Sequence, residues 1–347
     1  MSSATAAGKM KAIGFYQPGP EAEAPDFLTV EIEKPKPRGR DLLVEVRAVS
    51  VNPTDWKVHQ SKDKNDSSFT VVGRDVAGVV VETGEDCRLF QAGDEVFYAG
   101  TNVRPGAHSE FHLVDERIVG RKPKRLDFAQ AAALPLTSVT AWEAIYDRLN
   151  VSKQSDDNAG KSILIIGAAG GVGSIATQLA KLAGLTVIGT ASRPESIEWV
   201  RQHGADHIIN HHQPFEPQVK KLGLNGVDYI FCLTYADEHM EQMAKTILPQ
   251  GKICSILPFA KPMHRDLFSK SVTLSFELMY TRSMYQTDDM IEQHNILNEV
   301  ADGVDAGKLQ STMKERLTPI HAANLREAFR RSMSGNTIGK IVLEHFE

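Results

Sequence analysis

The densest chemistry in this 347-residue chain lies in one stretch, SILIIGAAGGVGSIATQLAKLAG, from Ser162 to Gly184. An apolar run enters the turn Gly167-Ala168-Ala169-Gly170-Gly171-Val172-Gly173, and an Ala-rich amphipathic segment leaves it, with Gly184 placed as its C-cap. Glycines let a backbone turn tightly and come close to an anion. The first N–H groups of the helix that follows lack intrahelical partners and point at that anion. Strand, glycine turn, helix and second strand in that order point to a dinucleotide whose pyrophosphate rests on Gly167, Ala168, Gly170, Gly171, Val172 and Gly173. A tight turn with no ligand is the competing reading. The second strand then ends Thr190-Ala191-Ser192-Arg193-Pro194, with no carboxylate before Glu195 to bind the ribose hydroxyls of NAD. Ser192 can donate a hydrogen bond and Arg193 can pair with a 2′-phosphate, so the expected cofactor is NADPH. Arg193 starting the next helix in solvent is the alternative.

Other polar residues invite the same question. In VVGRDVAGVV, from Val71 to Val80, Arg74 and Asp75 stand in the middle of what reads as a buried strand. Burying such charges costs several kcal/mol unless they are paired. His207, His211 and His212 in DHIINHH have no Cys near them and read as surface histidines at a strand end rather than metal ligands. Cys87, Cys232 and Cys254 are far apart and form no CxxC, so neither a disulfide framework nor a cysteine-rich zinc site is available.

These residues need elements to hold them. From Met10 to about Leu136 short alternating segments with turn signals suggest a barrel-like β domain. From Ser162 onward apolar runs alternate with amphipathic helices, the βαβ rhythm of a doubly wound parallel sheet. The expected fold is α/β: a Rossmann domain plus a β-barrel domain. With 41% hydrophobic and 24% charged residues the chain reads as a soluble globular protein. Its net charge of −5 argues against a nucleic-acid partner. No apolar run reaches the roughly 20 residues of a membrane span, and the N-terminus lacks a signal-peptide core. The first nine residues read as a tail, and a cytoplasmic location is expected.

Together with SVNPTDWK (Ser50 to Lys57), GRDVAG, GDEVFYAG and LPLTSVTAWEAI, these motifs resemble the medium-chain dehydrogenase/reductase superfamily. The resemblance is to its zinc-free quinone oxidoreductase and enoyl reductase branch, in the group labelled zinc-type alcohol dehydrogenase-like. It implies a chaperonin-10-like catalytic barrel built from both chain ends, residues 1–136 and 300–347, around a Rossmann domain at 137–299. It also implies a cleft between the domains and a homodimer. At the segments where zinc members carry a Cys and a Gly-His-Glu, this chain has Asn52-Pro53-Thr54-Asp55 and Gly73-Arg74-Asp75, so no catalytic metal is expected. Arg74 is expected to form a salt bridge, with Asp55 or Asp75, or to fill the vacated region.

A nicotinamide can reduce a quinone or an α,β-unsaturated carbonyl without a Lewis acid, because the resulting enolate needs only hydrogen-bond donors and a proton. The branch's positions suggest Asn52 and Lys57 as donors toward the acceptor oxygen, Thr140 near the nicotinamide, and Tyr98 as a donor or pocket wall. Lys57 is the favoured proton source. Leu257, Phe276 and Lys340 match segments that border the cofactor. The function expected is an NADPH-dependent quinone or enone reductase. A trans-acting enoyl reductase on a carrier-bound acyl chain, and a non-catalytic NADPH-binding sensor, are the alternatives.

Overall fold

In the computed structural model, which describes residues 8–17 and 24–346, strand pairing separates the chain into two units. Met1–Leu136 and Tyr280–Glu347 make the first, and Thr137–Met279 the second. The tail expected over the first nine residues lies largely outside the described residues, and strand β1 (Lys9–Phe15) begins at Lys9.

The first unit is built from short strands, as the turn-rich sequence requires. After β1 come β2 (Leu28–Glu33), β3 (Asp41–Ser50), β4 (Thr70–Val71), β5 (Asp75–Thr83), β6 (Glu95–Tyr98), β7 (Phe111–Asp115) and β8 (Val119–Arg121). A three-stranded sheet has the order β2-β1-β4. In the larger sheet β3 pairs antiparallel with both β5 and β7, and β5 continues through β6 to β8.

The second unit holds β9 (Ser162–Ile166), β10 (Thr186–Thr190), β11 (His207–Ile209), β12 (Val227–Cys232), β13 (Ile247–Ser255) and β14 (Thr273–Phe276). All are parallel, in the order β11-β10-β9-β12-β13-β14. Numbered from its first strand this is 3-2-1-4-5-6, the doubly wound order that binds ligands where the winding reverses, at the carboxyl ends of β9 and its neighbours. Ile163, Leu164, Ile165 and Ile166 are fully buried, because a parallel sheet covered by helices on both faces has no solvent side.

The chain then returns to the first unit with β15 (Met313–Leu317) and β16 (Lys340–Glu344), and β16 lies antiparallel to β3. The return comes at Tyr280 rather than after residue 299, because helix Glu292–Asp305 packs on the first unit: Arg121 N–H donates to Asn298 Oδ1 at 3.1 Å. The core of the second unit should respond to truncation as a close-packed interior does. Ile165→Ala should lower its stability by about 2–5 kcal/mol in denaturant unfolding, and a loss below about 1 kcal/mol would mean that this strand is not the centre of the sheet.

Candidate functional site

The second unit forms the glycine cradle by leaving side chains out. Gly167 has φ of 88°, open to glycine and poorly tolerated by other residues, and its N–H donates to Thr190 Oγ1 at 2.9 Å. That bond ties the end of β9 to the end of β10. Helix Gly171–Leu182 begins directly after, and Gly170 caps it with no side chain. A Cβ on Gly173 would sit 2.4 Å from Gly167 O and 2.6 Å from Ala168 Cα, so helix and turn can be this close only with glycine there. Gly170 is different: a Cβ would meet only Gly167 O, at 3.5 Å. Packing does not demand that glycine, and the space it leaves lies beside the uncapped N–H groups of Gly171 and Val172. This fits a pyrophosphate resting on the turn. Ala168 is fully buried, so its part is backbone only.

Ser192 is half-buried and Arg193 is exposed just past β10, where Arg193 also caps helix Pro194–Gln202. Ser192 Oγ lies 3.4 Å from His211 Nε2. Leu257 follows β13 half-buried, and Phe276 closes β14 at 53% exposure, 5.8 Å from the Phe259 ring. Thr140 is buried in helix Pro135–Trp142.

The first unit gathers a buried polar cluster that the sequence only hints at. VVGRDVAGVV is not one strand: Gly73 has φ of 98° and separates β4 from β5. A Cβ on Gly73 would fall 2.3 Å from the His108 ring. Arg74 and Asp75 then point to opposite sides of extended backbone and do not pair with each other. The Arg74 guanidinium donates to the carbonyls of Thr101 at 2.7 Å and Arg104 at 3.1 Å, so the expected Arg74 ion pair with Asp55 or Asp75 is replaced by backbone contacts. Asp75 instead faces Lys340. Its Oδ2 accepts from Ser50 Oγ at 2.7 Å, Asn52 Nδ2 at 2.8 Å and Lys340 Nζ at 3.1 Å, while its Oδ1 accepts from Leu136 N–H at 2.7 Å.

This assigns other work to two expected site residues. Lys340 is 4% exposed and also donates to Val51 O and Asn52 Oδ1, so its ammonium is engaged within this cluster. Asn52 has its side-chain amide engaged at both ends. Tyr98 is fully buried and donates to His112 Nδ1 at 3.0 Å, while His112 Nε2–H donates to Pro105 O at 3.1 Å. Lys57 stays exposed on helix Pro53–Ser61.

Zinc does not fit these donors. The lone pairs of Asp75 are occupied, Lys340 and Arg74 put two cations nearby, and no thiol joins them. Among the described residues no group of three or more His, Cys, Asp and Glu could hold a metal ion.

Asp55, in the same cluster, is fully buried. Its Oδ2 accepts from Asn52 N–H at 2.8 Å, and its Oδ1 has no partner. Burial, helped by the Asp75 charge, raises its carboxyl to about 7 against the Asn52 N–H and the cations Arg74 and Lys340. Burial also lowers His108 to about 3 and His112 to about 4, with the Arg74 charge acting in the same direction. The signs oppose each other. Folded Asp55 holds a proton that the unfolded chain releases near 3.8, so its contribution is lost as pH rises toward 7. The folded histidines refuse a proton that the unfolded chain takes up below 6.5, so theirs is lost as pH falls. Asp55→Asn should therefore stabilise the protein increasingly as pH rises from 4 to 7, then by a constant amount on the order of 4 kcal/mol. Urea unfolding of both forms at pH 4.5, 6 and 8 measures this, and a difference independent of pH would show that Asp55 is not held protonated.

Comparison with known proteins places both units. Residues 38–124 match the alcohol dehydrogenase GroES-like domain, and residues 171–293 the zinc-binding dehydrogenase family. The chain is 40% identical over 335 residues to a zinc-type alcohol dehydrogenase-like protein of Staphylococcus epidermidis, covering 96% of this chain and 99% of that one. A crystal structure from Rhizobium etli, described as a zinc-dependent alcohol dehydrogenase protein, is 50% identical with a TM-score of 0.92, over 98% of this chain and 99% of that one. The quinone oxidoreductase of Coxiella burnetii is 25% identical with a TM-score of 0.77, over 97% and 100%. A GroES-like unit assembled from both chain ends and a Rossmann unit with its glycine cradle together make this chain an oxidoreductase of the medium-chain dehydrogenase/reductase superfamily, whose members bind nicotinamide cofactors.

Proposed function

We propose that this protein reduces quinones or α,β-unsaturated carbonyl compounds with NADPH and without zinc, in the cytoplasm and as a homodimer. The observation that carries the reading is the saturated Asp75 carboxylate, with four donors in place where related enzymes keep zinc ligands. Without a Lewis acid the acceptor must already be electron-poor. A simple ketone or a saturated alcohol would leave an alkoxide with nothing strong enough to stabilise it. Likeness to the Coxiella quinone oxidoreductase supports the acceptor class. When bound, NADPH supplies the hydride.

The chain's own residues bind and orient it: Gly170, Gly171, Val172 and Gly173 under the pyrophosphate, Ser192 and Arg193 at the 2′-phosphate, Leu257 and Phe276 along its length. Among the donor candidates, Tyr98 gives its proton to His112 and Asn52 gives its amide to Asp75, which leaves Lys57 as the proton source. Cytoplasmic location accords with the described residues, among which no helix is long and apolar enough to cross a membrane. The homodimer follows from the family resemblance.

The test follows NADPH absorbance with a panel of quinones and enones, and includes metal analysis of the same sample. Turnover that survives a chelator in metal-free protein is expected. Tight NADPH binding with no turnover would instead favour a sensor. Arg193→Ala should raise the Kd for NADPH roughly 10- to 100-fold and leave NADH nearly unchanged, whereas equal losses would remove the 2′-phosphate role. Lys57→Met should lower kcat roughly 100-fold with little change in KM; an unchanged kcat would point to water as the donor.

A further inference from the structure

The histidines past β11 are not idle surface residues. β10 and β11 are parallel neighbours, with Thr190 opposite Ile209, and Ala191 N–H extends the pairing to Ile209 O at 3.0 Å. Residues 191–193 and 210–212 therefore leave the sheet side by side. His211 Nε2 meets Ser192 Oγ, and the Arg193 charge reaches the same imidazole. His212 lies beside it, with ring centroids 4.2 Å apart and the rings tilted by 54°. Helix Ala236–Thr246 brings His239, whose ring is 5.2 Å from Phe215 and which feels the charges of both His211 and His212. Three imidazoles and one guanidinium gather here, with the Glu238 carboxylate acting on His239.

Basic groups gathered beside the Ser192 hydroxyl suit an anion. We propose that His211, with Ser192 and Arg193, forms the pocket for the cofactor's 2′-phosphate, and that His211 takes up a proton as that phosphate binds. Selectivity for NADPH over NADH then strengthens as the solution becomes more acidic. The proposal rests on the NADPH reading above and adds its pH dependence. Burial first, then His212 and Arg193, disfavour the charged form of His211 in the free protein, and burial does the same for His239. A phosphomonoester is close to a dianion above pH 7. Placed beside Ser192 it reverses the local sign and makes a charge-assisted hydrogen bond to the imidazolium favourable.

The experiment measures binding of 2′,5′-ADP and of 5′-AMP to the full chain by calorimetry between pH 6.5 and 8.5. Both probes share the 5′-phosphate, so their affinity ratio isolates the 2′ group. In the natural protein the ratio should fall by up to tenfold per pH unit across the titration of one imidazole. His211→Gln keeps a hydrogen-bonding group near Ser192 and should make the ratio nearly flat. Arg193→Ala should lower the ratio at every pH and keep its slope. The His211 ring resonances in proton NMR should titrate at higher pH with 2′,5′-ADP bound than without it. If the natural protein fails to distinguish the two probes at any pH, the NADPH reading fails. If it distinguishes them and His211→Gln keeps the full slope, the NADPH reading stands and the role of His211 is overturned.

Discussion

A carboxylate with no solvent exposure is the constraint on which the first unit depends. Asp75 would be several kcal/mol too costly to bury unless its oxygens were filled by donors. Four fill them: the Ser50 hydroxyl, the Asn52 amide, the Lys340 ammonium and the Leu136 N–H. They come from three segments far apart in the chain, Ser50 and Asn52 sharing one. Satisfying one carboxylate therefore fixes two strand registers together, Ser50 opposite Asp75 and Val342 opposite Ser50. Arg74 next door is satisfied separately by backbone carbonyls, so the two charges of the motif stabilise different walls of the same interior.

The second unit solves the opposite problem. Its cradle works by leaving N–H groups unpaired at the start of helix Gly171–Leu182 and by keeping side chains out of their way. One unit fills the Asp75 carboxylate with donors from its own chain. The other withholds them and is open to an anion. Division of labour in this family member thus comes down to where polar groups are satisfied and where they are left available.

Much of this is legible in the residues alone. The glycine turn and the alternation of apolar runs with amphipathic helices are local patterns, and local patterns survive in sequence. The absence of a carboxylate after β10 is equally local. What escapes is whatever depends on distant residues or on one backbone angle. Lys340 is 265 positions from Asp75, and nothing near either residue announces the other. The resemblance marks Lys340 as bordering a cofactor, and its surroundings add that it is the counter-ion of a buried acid. The break at Gly73 is hidden because Val, Gly and Ala around it read as continuous strand, and only the His108 ring against it explains the glycine. DHIINHH has the same difficulty, since His211 meets Ser192 just past the end of the neighbouring strand.

The discontinuity of the first unit also has a consequence for the order in which the protein is made. Thr137–Met279 is contiguous, so every strand of the parallel sheet has emerged from the ribosome before the first unit is complete. β16 and Lys340 follow that whole sheet, and until they emerge β3 lacks one partner and Asp75 lacks its cation. Vectorial synthesis therefore leaves the N-terminal strands waiting with an unpaired edge and an uncompensated acid while the middle of the chain folds. That interval is when the nascent polypeptide is most exposed to misassociation and to chaperones.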